Sequence, residues 1–351
     1  MDLERHLQDI LDDSVSSGEE LGVQLTVYRN GEELCNLASG WTTADHHRKM
    51  DRDTVVPVFS VGKGVITTLF HVLRQKGFVS PDDLVTKHWP EYGANGKEGT
   101  RVWHILTHRA GLWQFPDEYP FEDWFDFEKA TAQLAKQSPA DLIGGNHHYH
   151  AHTYGLLLGK ILEDATRTPL RQLFQEELFG PLGMDRIFFG LPEAEYGNLA
   201  PIERGTADAD DMRLRFFGPA VLGGLNPSSN GCSNARSLAR LYASLIDPGL
   251  EGRRLLPQEI IDEATILRRC AGDPVPLGNW DKFGYGYALC GPLDDVGRMF
   301  GHGGACGAEG FADKKTGYAV GFTKQRLNRT HPDHATRNRI SEALGLPLRI
   351  W

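Results

Sequence analysis

The sequence predicts an α+β protein in which an antiparallel sheet flanked by helices is joined to a mainly helical lobe. Strand signals occur at both ends of the chain, and the stretch between them has a helical apolar period. The chain has 351 residues and is 40% hydrophobic, enough for a large core or two closely packed lobes. Residues 1–59 and 282–351 are expected to form the sheet lobe and residues 60–281 the helical lobe.

The first eleven residues, Met1 to Leu11, form a charged amphipathic pattern and predict a helix. Val23 to Tyr28 alternates, and Asn30-Gly31 carries a hairpin signal before a second strand near Glu33 to Ala38. From Val61 the apolar positions Val65, Ile66, Leu69, Phe70, Val72 and Leu73 follow a helical period that Lys76-Gly77 stops. Further helices are expected over Val102 to Leu106, Tyr154 to Leu162, a segment with Thr168 as cap and Pro169 first in the helix, and Ala235 to Ile246 behind Ser233. Strands return at Phe283 to Leu289, Gly297 to Gly301, Ala308 to Ala312 and Tyr318 to Phe322, and Arg337 to Leu344 reads as a closing helix. No internal repeat is present.

The charge balance excludes whole classes of partner. Net charge is −10 with no basic run able to track phosphates, so neither nucleic acid nor an anionic membrane surface is an expected partner. No stretch reaches the roughly 20 apolar residues of a membrane span, and the N-terminus lacks the apolar core and cleavage site of a secretory signal. A soluble, cytoplasmic protein is expected. Its five cysteines, Cys35, Cys232, Cys270, Cys290 and Cys306, include no C-x-x-C pair and are expected to be reduced.

The chemistry begins at Ser60-Val61-Gly62-Lys63. On a helix an i, i+3 pair lies about 5–6 Å apart at Cβ, so a neutral Lys63 amine can reach Ser60 Oγ and take its proton. Burial favours the neutral amine. The apolar, β-branched approach through Val55, Val56 and Val58 leads directly into the serine. Gly62 and Gly64 each cost the helix about 1 kcal/mol relative to alanine, which points to close backbone approach, room for a ligand, or packing. An acylated Ser60 needs a further proton carrier and two donors for the oxyanion. Tyr149, between the Gly144-Gly145-Asn146 turn and the next helix, is the candidate carrier. Gly301-His302-Gly303-Gly304-Ala305 reads as an edge strand entering a glycine-rich turn, where the Ala305 N–H can join that of Ser60.

These motifs together resemble the serine β-lactamase-related family, which includes penicillin-binding proteins, the larger cephalosporin-hydrolysing lactamases and their esterase relatives. The order is Ser60-x-x-Lys63, Leu106-Thr107-His108-Arg109-Ala110-Gly111-Leu112, Tyr149-His150-Ala151, Phe179-Gly180-Pro181-Leu182-Gly183-Met184, Phe283-Gly284-Tyr285-Gly286 and Gly301-His302-Gly303-Gly304. The resemblance spans roughly residues 20 to 325 and implies a β-lactamase/transpeptidase-like fold with its site between the two lobes. It also implies Ser60 as nucleophile, Lys63 as its proton acceptor, Tyr149 as partner in proton transfer to the leaving group, and His302 at the strand position usually held by lysine. Ala151 replaces the asparagine of the tyrosine motif, and Gly303 replaces a hydroxyl residue that helps hold a substrate carboxylate. The departures resemble the esterase branch.

Three other motifs have simpler readings. Lys315-Thr316-Gly317 spells the family's strand motif but sits between strand-like runs, as a hairpin turn does. Gly231-Cys232-Ser233-Asn234-Ala235 looks like a nucleophile elbow but does not end in glycine, and Ser233 is expected to be an N-cap. His147, His148, His150 and His152 lack metal-ligand spacing. Phe115 to Phe127 is an acidic aromatic loop that either lines a cleft or is pinned by its aromatics. The expected function is hydrolysis of a small carboxylic ester through acyl-Ser60, without cofactor or metal. The rivals are acyl transfer, β-lactam or D-alanyl peptide hydrolysis, and a catalytically inactive binding protein of the same fold.

Overall fold

Asn30 and Gly31, both at positive φ (50° and 82°), close the first hairpin between β1 (Gly22–Arg29) and β2 (Glu32–Gly40). The computed structural model of the chain describes residues 2–348 apart from 217, 271–272, 274–280, 292–293 and 328–335. Two short strands follow in the middle of the chain, β3 (Val56–Pro57) and β4 (Ile187–Phe189), and then β5 (Gly231–Ser233). The C-terminal part supplies β6 (Ala288–Cys290), β7 (Met299–Gly303), β8 (Glu309–Asp313) and β9 (Tyr318–Lys324). The main sheet runs β2-β1-β9-β8-β7-β6, antiparallel throughout, so both ends of the chain build it. This is the antiparallel sheet built from both chain ends that the sequence predicts.

Helix α1 (Leu3–Ser16) buries Leu7, Ile10 and Leu11 against this sheet beside the helix Thr336–Ala343. The helix Ala235–Ala243 covers the opposite face, packing on β9, β1 and β8. Covered on both sides, β1 is buried along Gly22 to Tyr28 despite its alternating sequence. The Ala235–Ala243 helix, expected with the helical lobe, thus serves the sheet. Its cap is Asn234, whose side chain accepts from Ser237 N; Ser233 is the last residue of β5, one position early.

Other differences are as local. Pro169 is the cap rather than the first residue of the helix Leu170–Phe174, and Thr168 lies outside it. The expected strand at Phe283 shortens to β6 because Gly286 turns the chain at φ 91°. Residues 314–317 form the turn between β8 and β9, which settles Lys315-Thr316-Gly317 as a hairpin tip. A three-stranded sheet, β3-β5-β4, lies in the otherwise helical middle. Among the described residues, no helix is long and apolar enough to cross a membrane.

Helix α2 (Val61–Gln75) is the spine on which the site is built. Every residue from Val61 to Leu73 is buried. Burying seven large apolar side chains there (Val61, Val65, Ile66, Leu69, Phe70, Val72, Leu73) is worth roughly 10–20 kcal/mol gross. That outweighs the roughly 2 kcal/mol lost to two glycines.

Candidate active site

Ser60 sits at the N-terminus of α2, directly after β3 and the buried run Val58-Phe59. Phe59 holds a left-handed backbone (φ 48°), a conformation costing a non-glycine residue about 1–3 kcal/mol. Its ring is fixed against Phe216 at 5.1 Å. The strained residue therefore turns the chain sharply into the serine.

Lys63 lies one turn along, wholly buried, with Nζ 3.1 Å from Ser60 Oγ. The same nitrogen is 2.6 Å from Ala151 O and 2.9 Å from Ser228 O. No carboxylate faces it among the described residues, and burial alone holds the amine well below its ordinary pKa. The two glycines of the first turn are explained by close approach. A Cβ on Gly62 would lie 2.1 Å from Pro227 O, and one on Gly64 2.1 Å from the Tyr242 hydroxyl. Neither leaves room for a ligand. Gly62 instead lets the Pro227-Ser228 backbone come near enough for Ser228 O to reach Lys63.

Tyr149 packs its half-buried ring beneath Lys63 Nζ, 4.9 Å from the ring centre. His108 lies 4.9 Å away and His302 6.1 Å. Burial pushes the tyrosine hydroxyl well above its usual pKa, and its interaction with Ser60 pulls the other way. His302 is buried on β7, with Nδ1 2.7 Å from Gly303 O. A carbonyl only accepts, so Nδ1 carries the proton and Nε2 is bare. Burial first and Lys63 second push its pKa down to about 3, so the ring is neutral.

The expected edge strand is only partly an edge: β6 pairs with β7 up to Gly301, and beyond it β8 alone continues, opposite His302 and Gly303. Gly304 fits so closely that a Cβ would meet Val58 O at 2.2 Å. Cys306 Sγ lies 3.4 Å from Pro57 O. The turn carrying Ala305 is thereby held against the chain entering Ser60. Among the described residues, neither the Ser60 N–H nor the Ala305 N–H donates to a protein group.

The four clustered histidines have separate duties. His147 faces Asp281 at 3.4 Å, and His148 lies 3.0 Å from Asp141 while stacked on Trp113. His150 N donates to His108 Nδ1 at 3.0 Å, and His152 packs between Trp124 and Phe216. The aromatic loop is pinned by its own rings: Phe121 and Phe125 are buried and both touch Phe216. It still borders the site, because Asn226 Nδ2 donates to both Trp124 O and His152 O at 3.0 Å.

Sequence reasoning missed Ser228, the Asn226 turn and Arg213, whose Nη1 donates to Ala305 O at 2.7 Å. The Asn-Pro-Ser-Ser-Asn run at 226–230 is a turn signature, but its partner was not legible.

The family described as Beta-lactamase matches residues 3–344. The esterase/beta-lactamase LipL of Mycobacterium tuberculosis is 29% identical over 338 residues, covering 87% of this chain and 77% of LipL. A penicillin-binding protein homologue from Caulobacter crescentus superposes with a TM-score of 0.84 at 28% identity, over 98% of this chain and 97% of that one. A family VIII carboxylesterase gives a TM-score of 0.84 at 25% identity, with the same coverage of both chains.

Proposed function

Because this chain belongs to the beta-lactamase family, we propose that it is a serine hydrolase cleaving small carboxylic esters through an acyl-Ser60 intermediate. The observation that carries this reading is the setting of Lys63, buried with no carboxylate facing it among the described residues, 3.1 Å from Ser60 Oγ and bonded to two carbonyls. A neutral amine has two N–H bonds and one lone pair. The carbonyls of Ala151 and Ser228 take the N–H bonds, which leaves the lone pair for the Ser60 hydroxyl proton.

Ser60 Oγ then bonds to the ester carbon as its proton passes to Lys63, and the N–H groups of Ser60 and Ala305 receive the carbonyl oxygen. Collapse expels the alcohol oxygen, which takes the proton back from Lys63 by way of Tyr149. Water adds to the acyl-enzyme, gives its proton to the same pair, and releases the carboxylic acid with Ser60 restored.

Esters are favoured over penicillins and D-alanyl peptides by what the β7 end lacks. His302 is neutral and Gly303 has no hydroxyl, so no cation and hydroxyl pair is offered to a substrate carboxylate. The relatives named as esterase/beta-lactamase and carboxylesterase support the same class. Ser60→Ala is expected to abolish turnover of p-nitrophenyl butyrate while leaving the melting temperature intact. Undiminished turnover would remove the assignment, and appreciable hydrolysis of a chromogenic cephalosporin would contradict the preference for esters.

A further inference from the structure

Tyr149 stands in a stretch without regular secondary structure: residues 141–150 form only turns and irregular backbone. A side chain that must pass a proton needs its backbone fixed from outside when no helix or strand ladder fixes it. Here two consecutive residues do so, His108 and Arg109, just past the helix Val102–Leu106. Gly144 N–H donates to Arg109 O at 2.9 Å, and Arg109 Nη1 donates to Gly145 O at 2.5 Å. His148 N–H donates to His108 O at 3.0 Å, and His150 N–H donates to His108 Nδ1 at 3.0 Å. The residues on either side of Tyr149 are therefore both tied to His108, one through its carbonyl and the other through its ring.

His108 is shaped for this double acceptance. Its backbone is left-handed (φ 58°), a conformation costing a non-glycine residue about 1–3 kcal/mol. Its ring is buried, 4.9 Å from the Tyr149 ring. Because Nδ1 accepts, the ring proton sits on Nε2, which is buried and bonded to no protein group among the described residues. Burial holds the ring neutral, so Nδ1 keeps the lone pair that His150 N–H uses. Packing alone does not account for an imidazole here, since an apolar side chain would fill the same space without burying an unpaired N–H.

We propose that His108 is a positioning residue for the leaving-group step: by accepting from the N–H groups on both sides of Tyr149, it holds that tyrosine where the departing alcohol receives its proton. The proposal rests on the ester-hydrolase reading above. It assigns His108 no contact with substrate, so its effect must reach the reaction through Tyr149.

The test is leaving-group dependence, read with p-nitrophenyl butyrate and ethyl butyrate, which form the same acyl-enzyme. p-Nitrophenolate departs without a proton, whereas ethoxide must be protonated as it leaves, so only the second ester depends on a well-placed Tyr149. The readout is the ratio of kcat/KM values, p-nitrophenyl over ethyl, from which the folded fraction and any loss common to both esters cancel. His108→Leu and His108→Met remove the acceptor, and either is expected to raise the ratio by roughly ten- to a hundredfold. His108→Asn puts Oδ1 close to the place of Nδ1 and tolerates the left-handed backbone, so it should bring the ratio most of the way back. An unchanged ratio in the folded apolar variants, or one raised as far by His108→Asn as by His108→Leu, overturns the proposal alone, and so does failure of all three variants to fold. Should only His108→Asn fold, a raised ratio overturns the proposal and an unaltered one supports it. Hydrolysis of p-nitrophenyl butyrate but not ethyl butyrate by the unmodified protein leaves no leaving-group proton to place and overturns it too. Hydrolysis of neither overturns the ester reading, and this proposal with it.

Discussion

Acidification below pH 6.5 should unfold this protein unusually steeply, and the slope follows from its buried imidazoles. His71, His104, His108, His150 and His302 are all buried. Burial is the leading cause that lowers each one: His71 and His104 to about 4, His150 and His302 to about 3, and His108 well below its ordinary value. In the unfolded chain each titrates near 6.5. Between the folded and unfolded values the unfolded state therefore binds more protons, so stability is fully present above about pH 6.5 and is lost as pH falls. Burial likewise lowers His147 to about 4 and His152 to about 3, so up to seven imidazole protons are at stake, and Glu20 and Glu163, both held above the usual carboxylate range by burial, offset at most two. A net uptake of five to seven protons corresponds to about 7–10 kcal/mol per pH unit. A domain stability of roughly 5–15 kcal/mol is then exhausted within about one to two units. The assay is urea unfolding followed by tryptophan fluorescence at pH 7.0, 6.0, 5.5 and 5.0. A dependence of unfolding free energy on pH corresponding to less than one proton would refute the reasoning.

The remaining predictions concern the site and its supports. Lys63→Met should lower kcat by a factor of roughly 10²–10⁴, the usual worth of a positioned proton acceptor. In the unmodified enzyme the base form is the neutral amine, so activity should persist well below the ordinary lysine range and fall only as pH drops through the lowered pKa; a pH–rate profile of kcat/KM checks this. Gly62→Ala should cost about 1–3 kcal/mol of stability, because the new methyl meets the Pro227 carbonyl, and should also lower kcat by displacing Ser228 O from Lys63. Thermal melting and kinetics on one preparation separate the two effects. Arg109→Met should destabilise by about 3–5 kcal/mol, since it strands Asp273, whose carboxylate is buried and bonded at 2.7 Å by both oxygens to Arg109. Calorimetry reads that loss, and substituting Asp273→Leu in the same chain should restore part of it.

The parts of this site legible in the sequence are those fixed by local geometry. Ser60 and Lys63 are joined by helical spacing, and the Asn30-Gly31 hairpin and the 314–317 turn are fixed by residues that tolerate positive φ. What was not legible depends on tertiary approach. The two carbonyls that hold Lys63 come from Ala151 and Ser228, and a backbone acceptor leaves no mark in residue identity. The Ala235–Ala243 helix showed an apolar face, but a helical period does not say whether that face meets a sheet or other helices. Ser233 and Asn234 are both good caps, so the one-residue error there reflects chemistry that either satisfies. The motif order reached the correct family because it sums six weak local signals into one arrangement, which the match over residues 3–344 bears out.

The central claim is a nucleophilic Ser60 activated by Lys63. Its most direct test is labelling with a serine-reactive alkyl phosphonate, followed by intact mass and peptide mapping of the unmodified protein, Ser60→Ala and Lys63→Met. The account predicts one adduct on the peptide carrying Ser60, none in Ser60→Ala, and labelling slowed by at least about 10² in Lys63→Met. Stoichiometric labelling of Ser60→Ala, or equal labelling rates with and without Lys63, would contradict it.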